Sequence, residues 1–357
     1  MNVSEAMEQM GHEQVVFCHD ARHAYHAIIA IHSTVLGPAV GGTRLYPYES
    51  EDQALTDALR LSRGMTYKNA AADLPLGGGK AVIVGDGHLP DRRGVFRAHG
   101  RFIERLGGLF ITGEDVGTSP EDMEHIRLET AHVGGLAHRE GGDPSPWTAR
   151  GVLRAMQAAA HERWGSDRLA GRVVVVQGLG HVGQNLARLL QAEDARVLAC
   201  DPDGARVETA VRESGVKAVD PAAIYDVPGD IFAPCALGGV LNEGTIPRLK
   251  VEIVAGAANN QLHQEEDGVL LERRGILYAP DFVANAGGII RSTIDLLGWE
   301  ASEVSARIDG IYDTIARVFA AAKREGVPPS RAADQLAEER LRAKGETPPT
   351  APSRPAP

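Results

Sequence analysis

Cysteine is scarce: Cys18, Cys200 and Cys235 are the only three in 357 residues, far apart and without a C-x-x-C pair. That argues against a disulfide framework and against a zinc ribbon. Cationic charge is also short. The chain has 37 Lys and Arg against 48 Asp and Glu, a formal net charge of −11, and no basic stripe, so no nucleic-acid partner is expected. No apolar run approaches the roughly 20 residues that span a bilayer, so no membrane partner is expected either. The opening stretch MNVSEAMEQMGHEQ is acidic and polar, unlike a signal peptide, which makes the cytoplasm the expected location. No internal repeat is visible. With 43% hydrophobic and 24% charged residues, the composition is that of a globular chain long enough for two domains.

What is present centres on residues 172–203. Val173–Val176 read as a buried strand, followed by Gly178, Leu179, Gly180, His181, Val182 and Gly183 in a G-x-G-x-x-G pattern. A helical pattern with Val182, Leu186, Leu189 and Leu190 on one face comes next, then a second apolar run that ends in Asp201. Strand, glycine turn, helix, strand and acid in that order describe a dinucleotide site. Gly178 permits the tight turn, Gly180 lets a pyrophosphate approach, and Gly183 lets helix pack on strand. The helix N-terminus offers free N–H groups to phosphate. Asp201 at the ribose favours NAD, with Asp203 as a rival acid and Arg206 near enough to keep NADP open.

Upstream, residues 15–18 and 27–32 read as strands, and Gly37–Arg44 as a glycine-rich connection. Ser50 with Gln53 reads as a capping box opening a helix. Gly77, Gly78 and Gly79 lead to Lys80 at the edge of a strand. Three glycines are kept where side chains would obstruct something, and Lys68 lies twelve positions earlier. Residues 109–112 read as a strand that delivers Glu114 and Asp115 at its carboxyl end, where open α/β sheets bind ligands. Glycine pairs at 134–135 and 141–142 mark a hinge. Downstream, strands near 230–235, 251–256 and 275–279 carry Ala236, Leu237, Asn259 and Asn260 just beyond them. One long helix is expected over 301–324 and another over 330–344. The expected fold is α/β: a substrate-binding, catalytic and oligomerisation domain with a mixed sheet (1–147), and a Rossmann domain (148–330). A C-terminal helix (331–346) packs back on the first, and a disordered Pro-rich tail (347–357) follows.

Eight blocks carry a resemblance: GPAVGGTR (37–44), RGMTYKNAAADLPLGGGKAVI (63–83), GEDVGT (113–118), DPSPWTARG (143–151), QGLGHVG (177–183), DIFAPCALGG (230–239), GAANNQL (256–262) and APDFVANAGG (279–288). In this order and spacing the chain resembles amino-acid dehydrogenases of the leucine, valine and phenylalanine group, within the glutamate dehydrogenase superfamily. Leucine dehydrogenases are the subgroup it resembles most. The resemblance implies reversible oxidative deamination of an L-amino acid with NAD, giving a 2-oxo acid and ammonia, and a homo-oligomer. It implies that Lys68 pairs with the substrate carboxylate, that Lys80 activates water as general base, and that Asp115 exchanges protons with the amino group. Val40, Gly41, Gly42 and Asn260 would line the head group. Thr148, Ala236, Leu237 and Asn259 would contact the cofactor.

Gly113, Ile289 and Ser292 fall in the side-chain pocket. They depart from the alanine and two valines usual in leucine enzymes, and Asp143 replaces an asparagine. Gly113 is the residue phenylalanine enzymes tend to carry, so a larger side chain is the alternative substrate. A catalytically idle dinucleotide sensor is the distant one. Two lysines and one aspartate supply the acid–base chemistry without a metal site.

Overall fold

The structure, a computed structural model, describes residues 2–134 and 143–345. The glycines at 135, 141 and 142 and the Pro-rich tail lie outside the described residues. The first unit runs α1 (Val3–Met10), β1 (Gln14–Asp20), β2 (Tyr25–Ser33), β3 (Ala39–Tyr46), α2 (Glu51–Ala71), β4 (Gly77–Val84), α3 (Arg92–Glu104), β5 (Phe110–Glu114) and α4 (Pro120–Arg127). Its five strands lie in the order β1-β2-β4-β3-β5. β1 and β2, and β2 and β4, pair antiparallel, whereas β3 runs parallel to both β4 and β5. The sheet is therefore mixed. Helices α1 and α2 bury Ala54, Leu55, Ala58 and Leu59 on one face, and α3 and α4 bury Val95, Phe96, Met123 and Ile126 on the other.

The second unit follows α5 (Ser145–Trp164). It contains β6 (Val173–Gln177), α6 (His181–Ala192), β7 (Arg196–Cys200), α7 (Gly204–Ser214), β8 (Lys217–Ala218), β9 (Ile231–Pro234), β10 (Ile253–Val254), α8 (Glu266–Arg273) and β11 (Leu277–Tyr278). The strand order is β11-β10-β9-β6-β7-β8, parallel throughout. This is the doubly wound arrangement whose order reverses at β6, opening a crevice at the β6/β9 carboxyl ends. Four C-terminal helices, α9 (Asp281–Ala284), α10 (Gly287–Leu297), α11 (Ala301–Asp309) and α12 (Ile311–Glu325), share one core with α5 and α6. The last helix, α13 (Pro329–Gly345), returns to the first unit. There Ala337 packs with Tyr67 and Ala70 of α2, and Arg340 donates to the carbonyls of Ala70 and Leu74 at 2.7 and 3.1 Å. These contacts tie down the end of α2 that carries Lys68.

Four local expectations give way. Residues 39–46 form a strand, not a connection: Gly41 sits so close to β4 that a Cβ there would lie 1.8 Å from the Gly79 carbonyl oxygen. Lys80 is inside β4, the middle strand of its sheet, rather than at a strand edge. The glycines before it are part of the strand: a Cβ on Gly78 would strike the Thr66 amide of α2 at 2.1 Å, and one on Gly79 the Phe110 ring at 2.6 Å. The Ser50 hydroxyl caps the Gln53 amide, but the Gln53 side chain answers the Glu49 amide, so the reciprocal box is incomplete. The long helix is broken at Gly310 into α11 and α12.

Candidate active site

Sheet pairing brings the first group of residues together. Thr43 pairs with Ala81, so the preceding Gly42 lies opposite Lys80, and Gly42 pairs with Gly113 on β5. Lys80, Gly42 and Gly113 thus form one row across three strands. Gly42 lets the Glu114–Asp115 segment pack against β3, since a Cβ there would lie 2.7 Å from the Glu114 carbonyl oxygen and 2.8 Å from the Asp115 Cβ. Lys80 is 5% exposed, and its Nζ lies 2.6 Å from Asp115 Oδ2. The same oxygen accepts from Arg44 Nε at 3.0 Å. Burial lowers the Lys80 pKa, Asp115 opposes that, and Arg44 lowers it further. Burial pushes the Asp115 carboxyl up, but Lys80 and Arg44 outweigh it and hold it below its ordinary value.

Lys68, near the end of α2, reaches across to the second unit and donates to Asn259 Oδ1 at 2.9 Å. Asn285 donates to the same oxygen at 2.9 Å and also to the Ala257 carbonyl. Asn259 lies beyond β10, so one hydrogen bond joins the helix above the mixed sheet to the crevice end of the parallel one. Asn260 takes a left-handed conformation (φ +52°), and its carbonyl accepts from the Gly239 amide at 2.7 Å. Burial lowers the Lys68 ammonium from 10.5 to about 8; Asp281 opposes that, and Lys80 adds to it.

The glycine turn differentiates its three glycines. Gly178 has φ +98°, a region that disfavours side chains, and a Cβ there would lie 2.9 Å from Ala236. A Cβ on Gly183 would lie 2.0 Å from the Gly178 carbonyl oxygen. Gly180 has nothing within 4 Å. It is the N-cap of α6 and offers no side-chain cap, so the first amides, from His181 and Val182 onward, are open to an anion. A cradle bare at its centre and tight at its edges fits a dinucleotide pyrophosphate.

Asp201 is 7% exposed. Its carboxylate already accepts from the Leu179 amide at 2.7 Å and the Asp203 amide at 2.9 Å. These two bonds stiffen the turn. Asp203 caps α7 through the Ala205 amide, and Arg206 Nε lies 3.3 Å from Asp203.

The remaining candidates fall around the crevice. Leu237 is 80% exposed just beyond β9. Thr148, on the first turn of α5, hydrogen-bonds the Pro144 carbonyl and would lie 2.8 Å from a Cβ on Gly288 of α10. Val40 is buried in the shared core. Among the described residues, a Cβ on Gly113 would meet only the Gly134 carbonyl oxygen, at 4.0 Å. Ser292 donates its hydroxyl to Gly288 O at 3.0 Å, so its polarity is spent inside α10. Ile289 packs against the core. Among the described residues, no three His, Cys, Asp or Glu side chains converge as a metal site, and no helix is long and apolar enough to cross a membrane.

Sequence reasoning passed over Arg44, Asn285 and Asp281. Arg44 was visible as the residue two beyond Gly42, hence on the same face of a strand, but only once 39–46 is known to be a strand.

Residues 12–132 match the family model described as Glu/Leu/Phe/Val dehydrogenase, dimerisation domain. Residues 134–211 and 201–346 match that of Glutamate/Leucine/Phenylalanine/Valine dehydrogenase. The chain is 51% identical over 349 residues to leucine dehydrogenase of Thermoactinomyces intermedius, covering 97% of this chain and 95% of that one. The crystal structure of L-tryptophan dehydrogenase from Nostoc punctiforme aligns with TM-score 0.85 at 46% identity, covering 96% of this chain and all of that one. A hetero-hexameric glutamate dehydrogenase from Thermus thermophilus, in a Leu-bound form, aligns with TM-score 0.76 at 25% identity, covering 96% and 94%. Because these matches run through both sheets, the lysine–aspartate cluster and the glycine turn, the chain belongs to the glutamate, leucine, phenylalanine and valine dehydrogenase family.

Proposed function

We propose that the chain catalyses the reversible NAD-dependent oxidative deamination of a branched-chain L-amino acid, giving the 2-oxo acid and ammonia. The observation that carries this is the Lys68–Asn259 hydrogen bond, which sets a substrate-binding cation at the mouth of the nucleotide crevice, with the Lys80–Asp115 pair in the same site. NAD, when bound, would supply the acceptor for the α-hydride; the glycine turn would hold its pyrophosphate, Asp201 its ribose and Thr148 its nicotinamide, with Ala236, Leu237 and Asn259 lining the crevice. Lys68 as ammonium pairs with the substrate carboxylate. Asp115, kept ionised by two cations, takes a proton from the substrate ammonium and later returns one to the departing ammonia. Lys80 removes a proton from the water that attacks the α-carbon, a step that its lowered pKa favours. Closing the two units over the substrate excludes bulk water.

A cytoplasmic homo-oligomer is part of the proposal. Three unpaired cysteines accord with a reducing compartment, and the first matched family model is named for dimerisation. Initial rates of NADH formation from Leu, Ile, Val, Phe and Trp, repeated with NADP, test the assignment. No product from any aliphatic substrate ends it.

Lys68 also sets a pH dependence. Its ammonium is charged below about pH 8 and neutral above. KM for a 2-oxo acid in the reductive direction is therefore expected to climb as pH rises through 8. Lys68→Arg should flatten that climb, since guanidinium stays charged. An unchanged climb in the variant would remove Lys68 from carboxylate binding.

The open space at Gly113 favours a second reading, in which a large side chain is preferred. Gly113→Ala would then lower the Phe-to-Leu ratio of kcat/KM by about tenfold, within the range for one methyl-sized change in an apolar pocket. Among the described residues the added methyl meets no atom nearer than 4.0 Å, so the fold should not suffer. A ratio that does not move removes this reading.

A further inference from the structure

Behind the Lys80–Asp115 pair a continuous chain of charge runs on through Arg44 to Asp57 and Tyr48. Arg44 projects from β3 on the face that holds Gly42. Its Nε binds Asp115 Oδ2 at 3.0 Å, and its Nη1 binds Asp57 Oδ2 of α2 at 2.9 Å. The Tyr48 hydroxyl donates to that same Asp57 oxygen at 2.6 Å. The sign of charge alternates from Lys80 to Asp115 to Arg44 to Asp57. The Asp115 backbone is pinned to the same strand: its amide binds the Thr118 hydroxyl at 2.9 Å, that hydroxyl binds the Thr43 carbonyl, and the Val116 carbonyl accepts from the Leu45 amide.

We propose that Arg44 is a positioning residue for Asp115, itself held by Asp57 and Tyr48, and that this pair of opposite charges sets the pH window in which the site works. The inference rests on the proposed deamination. Arg44 acts in two ways. Its fork joins two carboxylates on different elements and so fixes where the Asp115 oxygen sits. Its charge favours the ionised form of Asp115 and the neutral form of Lys80, while Asp57 does the opposite to both. The other charged or titratable groups acting on this cluster are Lys68 on α2, which faces Lys80 and Asp115, and Tyr48 after β3, which faces Arg44 and Asp57, and both stay unchanged in the variants below.

The test is the pH profile of kcat/KM for the best amino acid, with thermal melts alongside. Arg44→Met is expected to move the acidic limb, which requires an ionised Asp115 and a neutral Lys80, to higher pH, and Asp57→Asn to move it to lower pH, each by about 1 pH unit, the low end for a neighbouring charge. Arg44→Lys should keep that limb in place, since the charge remains, but lower kcat, since an ammonium cannot fork between two carboxylates. A purely structural role would lower the melting temperature and the rate without opposite shifts. An acidic limb that stays still, or moves the same way in both variants, overturns the proposal. If Arg44→Met does not fold, Asp57→Asn decides alone: an acidic move supports the proposal and none overturns it. Carboxyl ¹³C NMR titration of Asp115 in the cofactor-free chain reads the same shifts without turnover. Failure of the proposed reaction and failure of this inference are thereby distinguishable.

Discussion

Lys80→Met is expected to reduce kcat for amino-acid oxidation by about 10³, within the 10²–10⁴ span of a lost general base. Methionine preserves the alkyl stem in a slot where Lys80 is 5% exposed and removes only the group that takes the proton. Truncating one partner of a buried ion pair ordinarily strands the other at a cost of about 3–5 kcal/mol. Here Asp115 keeps Arg44 at 3.0 Å, so the folded state should survive. The glycine turn is on the other sheet, so NADH binding, followed by fluorescence, should persist. Loss of turnover with binding retained also excludes an idle dinucleotide sensor. A variant that turns over at the wild-type rate would show that Lys80 is not the base.

Gly183→Ala should raise the NADH dissociation constant about 10–100-fold, the equivalent of the 1–3 kcal/mol that overpacking typically costs. The new Cβ would lie 2.0 Å from the Gly178 carbonyl oxygen and 3.0 Å from its carbon. Neither atom can move without moving the turn, so the first amides of α6 leave the phosphate position. The melting temperature should fall as well. Gly180→Ala makes the control. Its Cβ meets nothing within 4 Å among the described residues, so stability should hold while affinity drops, because that space is the one proposed for the cofactor pyrophosphate. Equal melting temperatures for the two variants, or wild-type affinity in Gly180→Ala, would mean that the pyrophosphate lies elsewhere.

The nucleotide unit was legible because its signal is local. Strand, turn and helix follow one another within 173–192, and each glycine's job depends on neighbours a few residues away. The lysine–aspartate set was legible by resemblance rather than by periodicity. The neighbouring strand β3 was misread, because Gly41 and Gly42 carry no β-branched or apolar signature. The break at Gly310 was hidden for a related reason: apolar spacing continues across it, from Ile308 to Ile311 and Ile315, all buried in one core.

From the chain order alone came the α/β class and the dinucleotide turn, which rest on residue type and short spacing; Lys68, Lys80 and Asp115 were singled out by the family blocks in which they stand. Tertiary structure alone decided that Lys68 meets Asn259, 191 positions away, that Arg44 and Lys80 share one carboxylate oxygen, and that both Asp201 oxygens serve backbone amides. Such partners are chosen by which strands lie side by side and how closely a bare backbone lets a helix approach, and no local pattern of residues encodes that distance.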